Sequence, residues 1–301
     1  MQVSSNNINL EVQEFGHKDN IPLVMISGFG SQLCDWPINL INKIVEREFR
    51  VIIFDNRDVG LSHKFEDNKI DDMNLIWKYS FSREKLSKDI DKPKVPYSLK
   101  DMAEDCINIL SELSIKKAHI LGASMGGMIA QLVAFNYPDR CKSLISVMST
   151  SGNPELPRPS KDVIEGLTRQ PKSSSKEDVI ENNLMTRKLW ASPKYPTSEE
   201  ILRENFSYRY DRMYYPDGST RQYAAIGDDG DRTLRLKEIS LPALVLHGSS
   251  DNLVPLEAGK DTHRNISGSN IEILDGWGHD LPEGTHDWIV DKIHNHIKSC
   301  N

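Results

Sequence analysis

Short runs of apolar residues punctuate the chain at Ile21 to Ser27 (IPLVMIS), Val51 to Asp55 (VIIFD), Ala118 to Gly122 (AHILG), Ser143 to Met148 (SLISVM), Leu241 to His247 (LPALVLH) and Ile271 to Leu274 (IEIL). A strand that meets water on one face alternates apolar and polar residues. A strand covered on both faces is apolar almost throughout. These runs therefore read as buried strands of a mainly parallel sheet. Longer amphipathic stretches lie between them. Ser98-Leu99-Lys100-Asp101 has the form of a capping box, and Met102, Cys106, Ile109, Leu110 and Leu113 follow at helical spacing. The alternation predicts an α/β fold with helices on both faces.

Two segments break the rhythm. From about Lys64 to Pro96 the chain is charged, with a helix-like apolar patch at Met73, Ile76, Trp77 and Phe81. From Ser151 to Asp231 no strand signal occurs. Helix starts stand near Ser160, at Ser175 and at Thr197, prolines lie between them, and Tyr208, Tyr210, Tyr214, Tyr215 and Tyr223 cluster late. Residues 1–150 and 232–301 thus read as one α/β core, and residues 151–231 as a helical cap inserted before the last two strands.

Composition excludes several classes. At 38% hydrophobic and 27% charged, the 301 residues are of ordinary globular make-up, not disordered, collagen-like or a small disulfide scaffold. A chain of this length buries roughly three quarters of its unfolded surface, so its core needs no staple. The formal charge of −7 comes without a dense Lys/Arg block, which argues against nucleic acid as a partner. No apolar run approaches the ~20 residues of a membrane span. Met1 to Leu10 is polar and is not read as a signal peptide. Cys34, Cys106, Cys141 and Cys300 lack metal or redox spacing; they are expected to be reduced and mostly buried in a cytoplasmic protein.

The chemistry concentrates at Gly122-Ala123-Ser124-Met125-Gly126-Gly127, directly after an apolar run and opening a helical pattern through Ile129, Leu132 and Val133. A serine on a tight strand-to-helix turn projects its Oγ above the sheet edge. The helix N-terminus beside it offers N–H groups to a developing oxyanion. A serine hydroxyl is a weak nucleophile near neutral pH. It needs a base, and the base needs an orienting acid. In this kind of fold the order along the chain is Ser, then Asp or Glu, then His. Asp251 follows one strand in HGSSDN, and His279 follows the last strand in GWGHD. Both stand where open α/β sheets place their sites. Asp251 rather than Asp280 is expected to be the acid, because neighbouring loop residues usually point apart. His247 reads as a packed strand-end residue, His119 as buried in its strand, and His63, His263 and His286 as surface residues. No His-x-His or paired-carboxylate pattern points to a metal. Gly28-Phe29-Gly30 follows the first run, and the N–H groups of Phe29 and Met125 are expected to converge on one oxygen. Asp55 to Ser62 (DNRDVGLS) reads as a loop held by its own internal pairing beside the site.

The stretches SGFGSQLCDWP, FDNRDVGLS, HILGASMGGMIAQ, ALVLHGSSDNLVP and DGWGHDLP resemble the α/β-hydrolase superfamily, and within it the bacterial branch that includes aclacinomycin methylesterases. They spread from about residue 21 to 297. The resemblance implies a helical cap over the site, with Ser124 as nucleophile, Asp251 as acid, His279 as base, and Phe29 and Met125 at the oxyanion positions. One departure is that many relatives have His-Gly where this chain has Ser27-Gly28. The expected activity is hydrolysis of a small-molecule carboxylic ester through an acyl-enzyme, without a cofactor. The same triad also serves C–C bond hydrolysis and perhydrolysis of the haloperoxidase type. A ligand-binding protein with little turnover is the alternative from a different class.

Overall fold

The computed structural model describes residues 1–70, 72–81 and 91–300. Eight strands form one sheet: β1 (Gln2–Ser5), β2 (Ile8–Phe15), β3 (Ile21–Ile26), β4 (Phe49–Phe54), β5 (Ala118–Ala123), β6 (Cys141–Val147), β7 (Ala243–Gly248) and β8 (Asn270–Leu274). Their order is β1-β2-β4-β3-β5-β6-β7-β8. β1 and β2 are antiparallel to their neighbours, and every other pairing is parallel. The apolar runs of the sequence coincide with β3 to β8, each within two residues at its ends. The fold class is that of an α/β hydrolase.

β1 and β2 are an addition to the sequence reading. They lie at the sheet margin, where alternate residues face water: Val3 and Ser5 are buried, while Gln2 and Ser4 are exposed. The polar half of that alternation masks the strand in a search for continuous apolar runs. Asn6 and Asn7, both at positive φ (45° and 67°), make the turn between the two strands.

Helices cover both faces. On one face α3 (Leu99–Glu112) and α4 (Met125–Asn136) bury Met102, Cys106, Ile109, Ile129, Leu132 and neighbours against Val24, Ile52 and Ile120. α3 begins as its sequence predicts. The Ser98 Oγ accepts from the Asp101 amide at 3.2 Å, and the Asp101 carboxylate accepts from the Ser98 amide at 2.7 Å. On the other face α1 (Ile38–Val45) packs on the last helix, His286–Ser299, around Leu40, Ile44, Ile289 and Ile293.

The charged segment carries α2 (Met73–Phe81); residues 82–90 and the Phe81 side chain lie outside the described residues. Between β6 and β7 run α5 (Lys161–Thr168), α6 (Lys176–Arg187), α7 (Glu199–Arg212), α8 (Asp217–Asp229) and the single turn α9 (Thr233–Leu236). Ser175 caps α6. Ser198, rather than Thr197, caps α7 through its Oγ and the Ile201 amide. α2 packs against α8, and α6 against α7. α10 (Leu256–Asn265) follows β7, and the last helix is α11 (His286–Ser299).

Candidate active site

The turn from β5 into α4 places Ser124 with φ 56° and ψ −121°, a conformation L-residues avoid unless the surroundings hold it. The surroundings do so. The Ser124 amide donates to the Val147 carbonyl at 2.9 Å, and its carbonyl accepts from the Gly127 amide at 2.9 Å and the Ser149 hydroxyl at 2.7 Å. α4 lies so close to β3 that a Cβ on Gly126 would come within 2.0 Å of the Ile26 carbonyl oxygen, so only glycine fits there.

The loop after β3 carries Phe29 beside this turn. Groups far away in sequence hold it. The Gly30 amide donates to Gln222 Oε1 at 2.8 Å, and Gly30 O accepts from Arg209 Nη2 at 2.5 Å. Gln222 also donates to the Arg57 carbonyl at 2.9 Å, and Asn56 Nδ2 donates to Ser27 O at 3.0 Å. Among the described residues no protein group accepts from the amides of Phe29 and Met125. The Ser27 hydroxyl, at the position where the branch departs, is buried and has no partner among them either.

Asp251 stands in the loop after β7 with its side chain fully buried. One carboxylate oxygen, Oδ1, accepts from the amides of Leu253 and Val254 at 2.9 and 2.8 Å. The other, Oδ2, accepts from His279 Nδ1 at 2.7 Å. A carboxylate on Nδ1 fixes the tautomer and leaves Nε2 free to accept a proton. His247 is the second imidazole here. It is fully buried, its Nε2 donates to the Val254 carbonyl at 2.8 Å, and it stands 3.6 Å from Asp251 Oδ2. Burial pushes its pKa below the ordinary histidine value, against the opposing effect of the Asp251 carboxylate.

Asp280 adjoins His279 but points elsewhere. Its carboxylate accepts from the Ser192 hydroxyl and, at 3.3 Å, from the Ser192 amide. The geometry thus pairs His279 with Asp251 and ties Asp280 to the segment after α6.

Ser124, His279, Phe29 and Met125 line one cavity of about 830 Å³. Its other walls come from α2 and from the helices between β6 and β7, with Trp77, Phe206 and Tyr223 among them. A smaller cavity of about 490 Å³ adjoins it, sharing Phe29, Phe206, Arg209 and Tyr223 and adding Tyr210, Tyr214 and Tyr215.

Several expectations need correction or addition. His286 is buried at 2% exposure, not on the surface, with Nε2 against the Leu281 carbonyl at 3.1 Å. Only Cys106 and Cys141 are buried; Cys34 and Cys300 are partly exposed, and all four are free thiols. The sequence does contain one His-x-His element, His294-Asn295-His296, but it lies on α11 outside the cavity. Among the described residues no group of three or more His, Cys, Asp or Glu side chains is arranged to hold a metal ion. No helix among them is long and apolar enough to cross a membrane.

The loop after β4 is braced mainly from outside. Arg212 of α7 bonds Asp55 at 2.7 Å, Arg221 of α8 bonds Asp58 at 2.8 Å, and Arg57 reaches Asp105 of α3 at 2.7 Å. Arg209, Arg212, Arg221 and Gln222 are the supporting residues that sequence reasoning missed. The only signal available was arginines recurring within two helices that carry little apolar periodicity of their own.

A family model described as alpha/beta hydrolase fold matches residues 21–283. The chain is similar to the rhodomycin D methylesterase DnrP of Streptomyces peucetius, 20% identical over 99% of this chain and 98% of that one. It is also similar to a 2-hydroxy-6-oxononadienedioate/2-hydroxy-6-oxononatrienedioate hydrolase of Pseudomonas putida, 31% identical over 57% of this chain and 59% of that one. Among solved structures, the meta-cleavage product hydrolase of Pseudomonas fluorescens IP01 superposes with a TM-score of 0.75 at 16% identity, covering 100% and 98% of the two chains. The esterase of Exiguobacterium antarcticum gives 0.72 at 18% identity, covering 99% of each. The match to the family model, with the strand order and the turn at Ser124, makes this chain a member of the α/β-hydrolase family.

Proposed function

We propose that the protein hydrolyses a carboxylic ester through an acyl-enzyme on Ser124. The hydrogen bond of 2.7 Å from His279 Nδ1 to Asp251 is the observation that carries this reading, because His279 lines the same cavity as the serine. In this mechanism Ser124 Oγ attacks the ester carbonyl while His279 Nε2 takes its proton. Asp251 holds the tautomer and stabilises the imidazolium. The amides of Phe29 and Met125 receive the charge that develops on the carbonyl oxygen. His279 then protonates the leaving alcohol and activates the water that releases the acid. Residues 151–231 act as a cap that shapes the cavity. The full-length similarity to a methylesterase supports the choice of an ester.

The test is a fluorophosphonate probe followed by an ester panel. A single adduct on Ser124 and turnover of activated esters, both lost in Ser124→Ala, are the expected results. An adduct on a peptide lacking Ser124 refutes the assignment.

C–C bond hydrolysis is the second reading, favoured by the higher identity to the nonadienedioate hydrolase over half of the chain. Turnover of a ring-cleavage dienoate without turnover of esters would select it.

A further inference from the structure

The protein carries a net charge of −7, yet its cavity wall is cationic. Lys78, Arg158, Arg187 and Arg209 line it, and no Asp or Glu does so among the described residues. Arg209 is already committed, with Nη2 on the Gly30 carbonyl at 2.5 Å and Nε 3.6 Å from Asp35. Lys78 and Arg158 are exposed and solvated. Arg187 is different. Its side chain keeps only 28% of its exposure, and among the described residues its guanidinium makes no hydrogen bond.

Among the described residues its one ion-pair partner is Asp280, at 3.9 Å, beyond hydrogen-bond reach. That carboxylate is occupied on both oxygens by the hydroxyl and amide of Ser192. Arg187 therefore presents a fork of five N–H donors to a cavity whose walls offer them no anion. Burial lowers its pKa from the usual arginine value; the carboxylates of Asp280 and Asp35 oppose that shift, and the neighbouring Arg209 charge adds to it. A guanidinium cannot escape by losing its proton. The protein itself therefore compensates this charge only weakly.

The position is also informative. Arg187 ends α6, and three residues on, the Trp190 carbonyl accepts from the His279 amide at 2.7 Å. Arg187 thus lies on the His279 side of the cavity. Met73, Trp77, Leu156 and Phe206 give the same cavity apolar walls. In such surroundings a singly charged carboxylate costs less to desolvate than a doubly charged phosphate. Its two oxygens also match the fork of the guanidinium.

We propose that the ester taken by this protein bears a carboxylate of its own, and that Arg187 binds it. This rests on the ester-hydrolase reading above.

The experiment compares monomethyl esters of succinate, adipate and suberate with their dimethyl counterparts. Acetate esters of ω-hydroxy acids, which carry the charge on the alcohol side, are assayed in parallel. One charged series is expected to exceed its neutral partner in kcat/KM by about tenfold or more, as for a charge-assisted hydrogen bond. Which series does so tells the end that Arg187 holds. Arg187→Met is expected to bring the charged-to-neutral ratio near unity. Arg187→Lys should be intermediate, because it keeps the charge and loses the fork. Calorimetric titration with suberate reads binding without turnover, and Arg187→Met should weaken it by about tenfold or more.

Equal ratios in the unaltered protein, or a ratio that Arg187→Met leaves unchanged, would overturn the proposal. If Arg187→Met fails to fold, the preference of the unaltered protein and the lysine variant decide. Suberate binding that depends on Arg187 without cleavage of any ester would leave the anion site standing and remove the ester reading. Cleavage of esters with no preference for charge would do the reverse.

Discussion

The amide of His279 donates to the carbonyl of Trp190 at 2.7 Å. The histidine after the last strand therefore hangs from the segment that follows α6, more than eighty residues earlier in the chain. Ser192 adds to this tie: its hydroxyl bonds Asp280 and accepts from the Gly278 amide at 2.8 Å. Lys194 continues it: its backbone amide donates to the Gly276 carbonyl at 3.3 Å, and its side chain pairs with Asp275. The helices between β6 and β7 thus wall the cavity and also support the loop that presents the imidazole. Excising them would be expected to abolish activity rather than merely to change substrate choice.

Gly278→Ala tests that coupling. A Cβ there would lie 2.4 Å from the Trp190 carbonyl oxygen and 2.7 Å from the Ala191 carbonyl carbon. Both are backbone atoms, so the loop or the segment must move. A displacement of the order of an ångström at a reacting group costs about 10²-fold in rate. The expected result is a fall in kcat of about that size on an activated ester, with the folded circular dichroism spectrum kept. Unchanged kcat would mean that the contact does not position His279.

Asp251→Asn and Asp280→Asn separate the two neighbouring carboxylates. At 251, asparagine retains the shape that receives the Leu253 and Val254 amides but loses the charge on His279 Nδ1. On the serine-protease precedent, kcat should drop by about 10⁴-fold. At 280 the loss falls on the bonds to Ser192, so thermal stability should suffer more than kcat. A folded Asp280→Asn that is the more impaired in kcat would redraw the pairing.

The pair Arg212–Asp55 should show strong coupling in a double-mutant cycle. Both side chains are under 10% exposed and lie 2.7 Å apart. Burial raises the Asp55 pKa, and the Arg212 guanidinium and the Leu33 amide work against that rise. Arg212→Met alone leaves a buried carboxylate unpaired and should cost about 3–5 kcal/mol. Adding Asp55→Asn should recover part of that loss. Additive urea midpoints would show that the pair is not coupled.

Stability should fall as the medium is acidified from near pH 6.5. His119 is fully buried, with Nδ1 on the Ser143 hydroxyl at 2.8 Å, and burial pushes its pKa down to about 3. His296 is pushed down to about 4 by the same cause. Both groups are depressed in the folded state. The unfolded chain therefore takes up the proton first, and each histidine removes about 1.4 kcal/mol per pH unit below the ordinary histidine pKa. For His296 that loss ends near pH 4; for His119 it continues to near pH 3. Urea unfolding at pH 7 and pH 5 should give a smaller loss for His119→Gln than for the unaltered chain. Identical losses would exclude His119 as a source.

The sequence made the parallel half of the sheet legible because strands covered on both faces are apolar throughout. The turn at Ser124 and the Asp251–His279 pair were legible because each sits just after such a strand. The antiparallel margin was not, although Asn6-Asn7 between Ser5 and Ile8 carries a hairpin signal. The braces were hidden for another reason. Arg212 and Arg221 meet Asp55 and Asp58 across some 160 residues of chain, and no local pattern records such a distance. His286 reads from the sequence as a surface residue, but it opens α11 with its ring turned under the loop that carries Leu281.

Ser124 itself should show the cost of the turn it occupies. Its φ of 56° with ψ of −121° lies outside the regions open to residues with a Cβ. Such conformations store about 1–3 kcal/mol when the surrounding structure imposes them. Ser124→Ala removes the hydroxyl but keeps the Cβ, so the strain stays. Ser124→Gly removes both. The added freedom of glycine in the unfolded chain takes back about 0.4–1 kcal/mol. Ser124→Gly should therefore be more stable than Ser124→Ala by about 1 kcal/mol, and neither variant is expected to turn over esters. The comparison isolates the backbone, because neither variant carries a hydroxyl and both keep the Val147 and Ser149 bonds to the main chain of residue 124. Urea unfolding of the two variants at one pH is the measurement. Equal or reversed midpoints would mean that the turn is relaxed and that the serine is held there without stored strain.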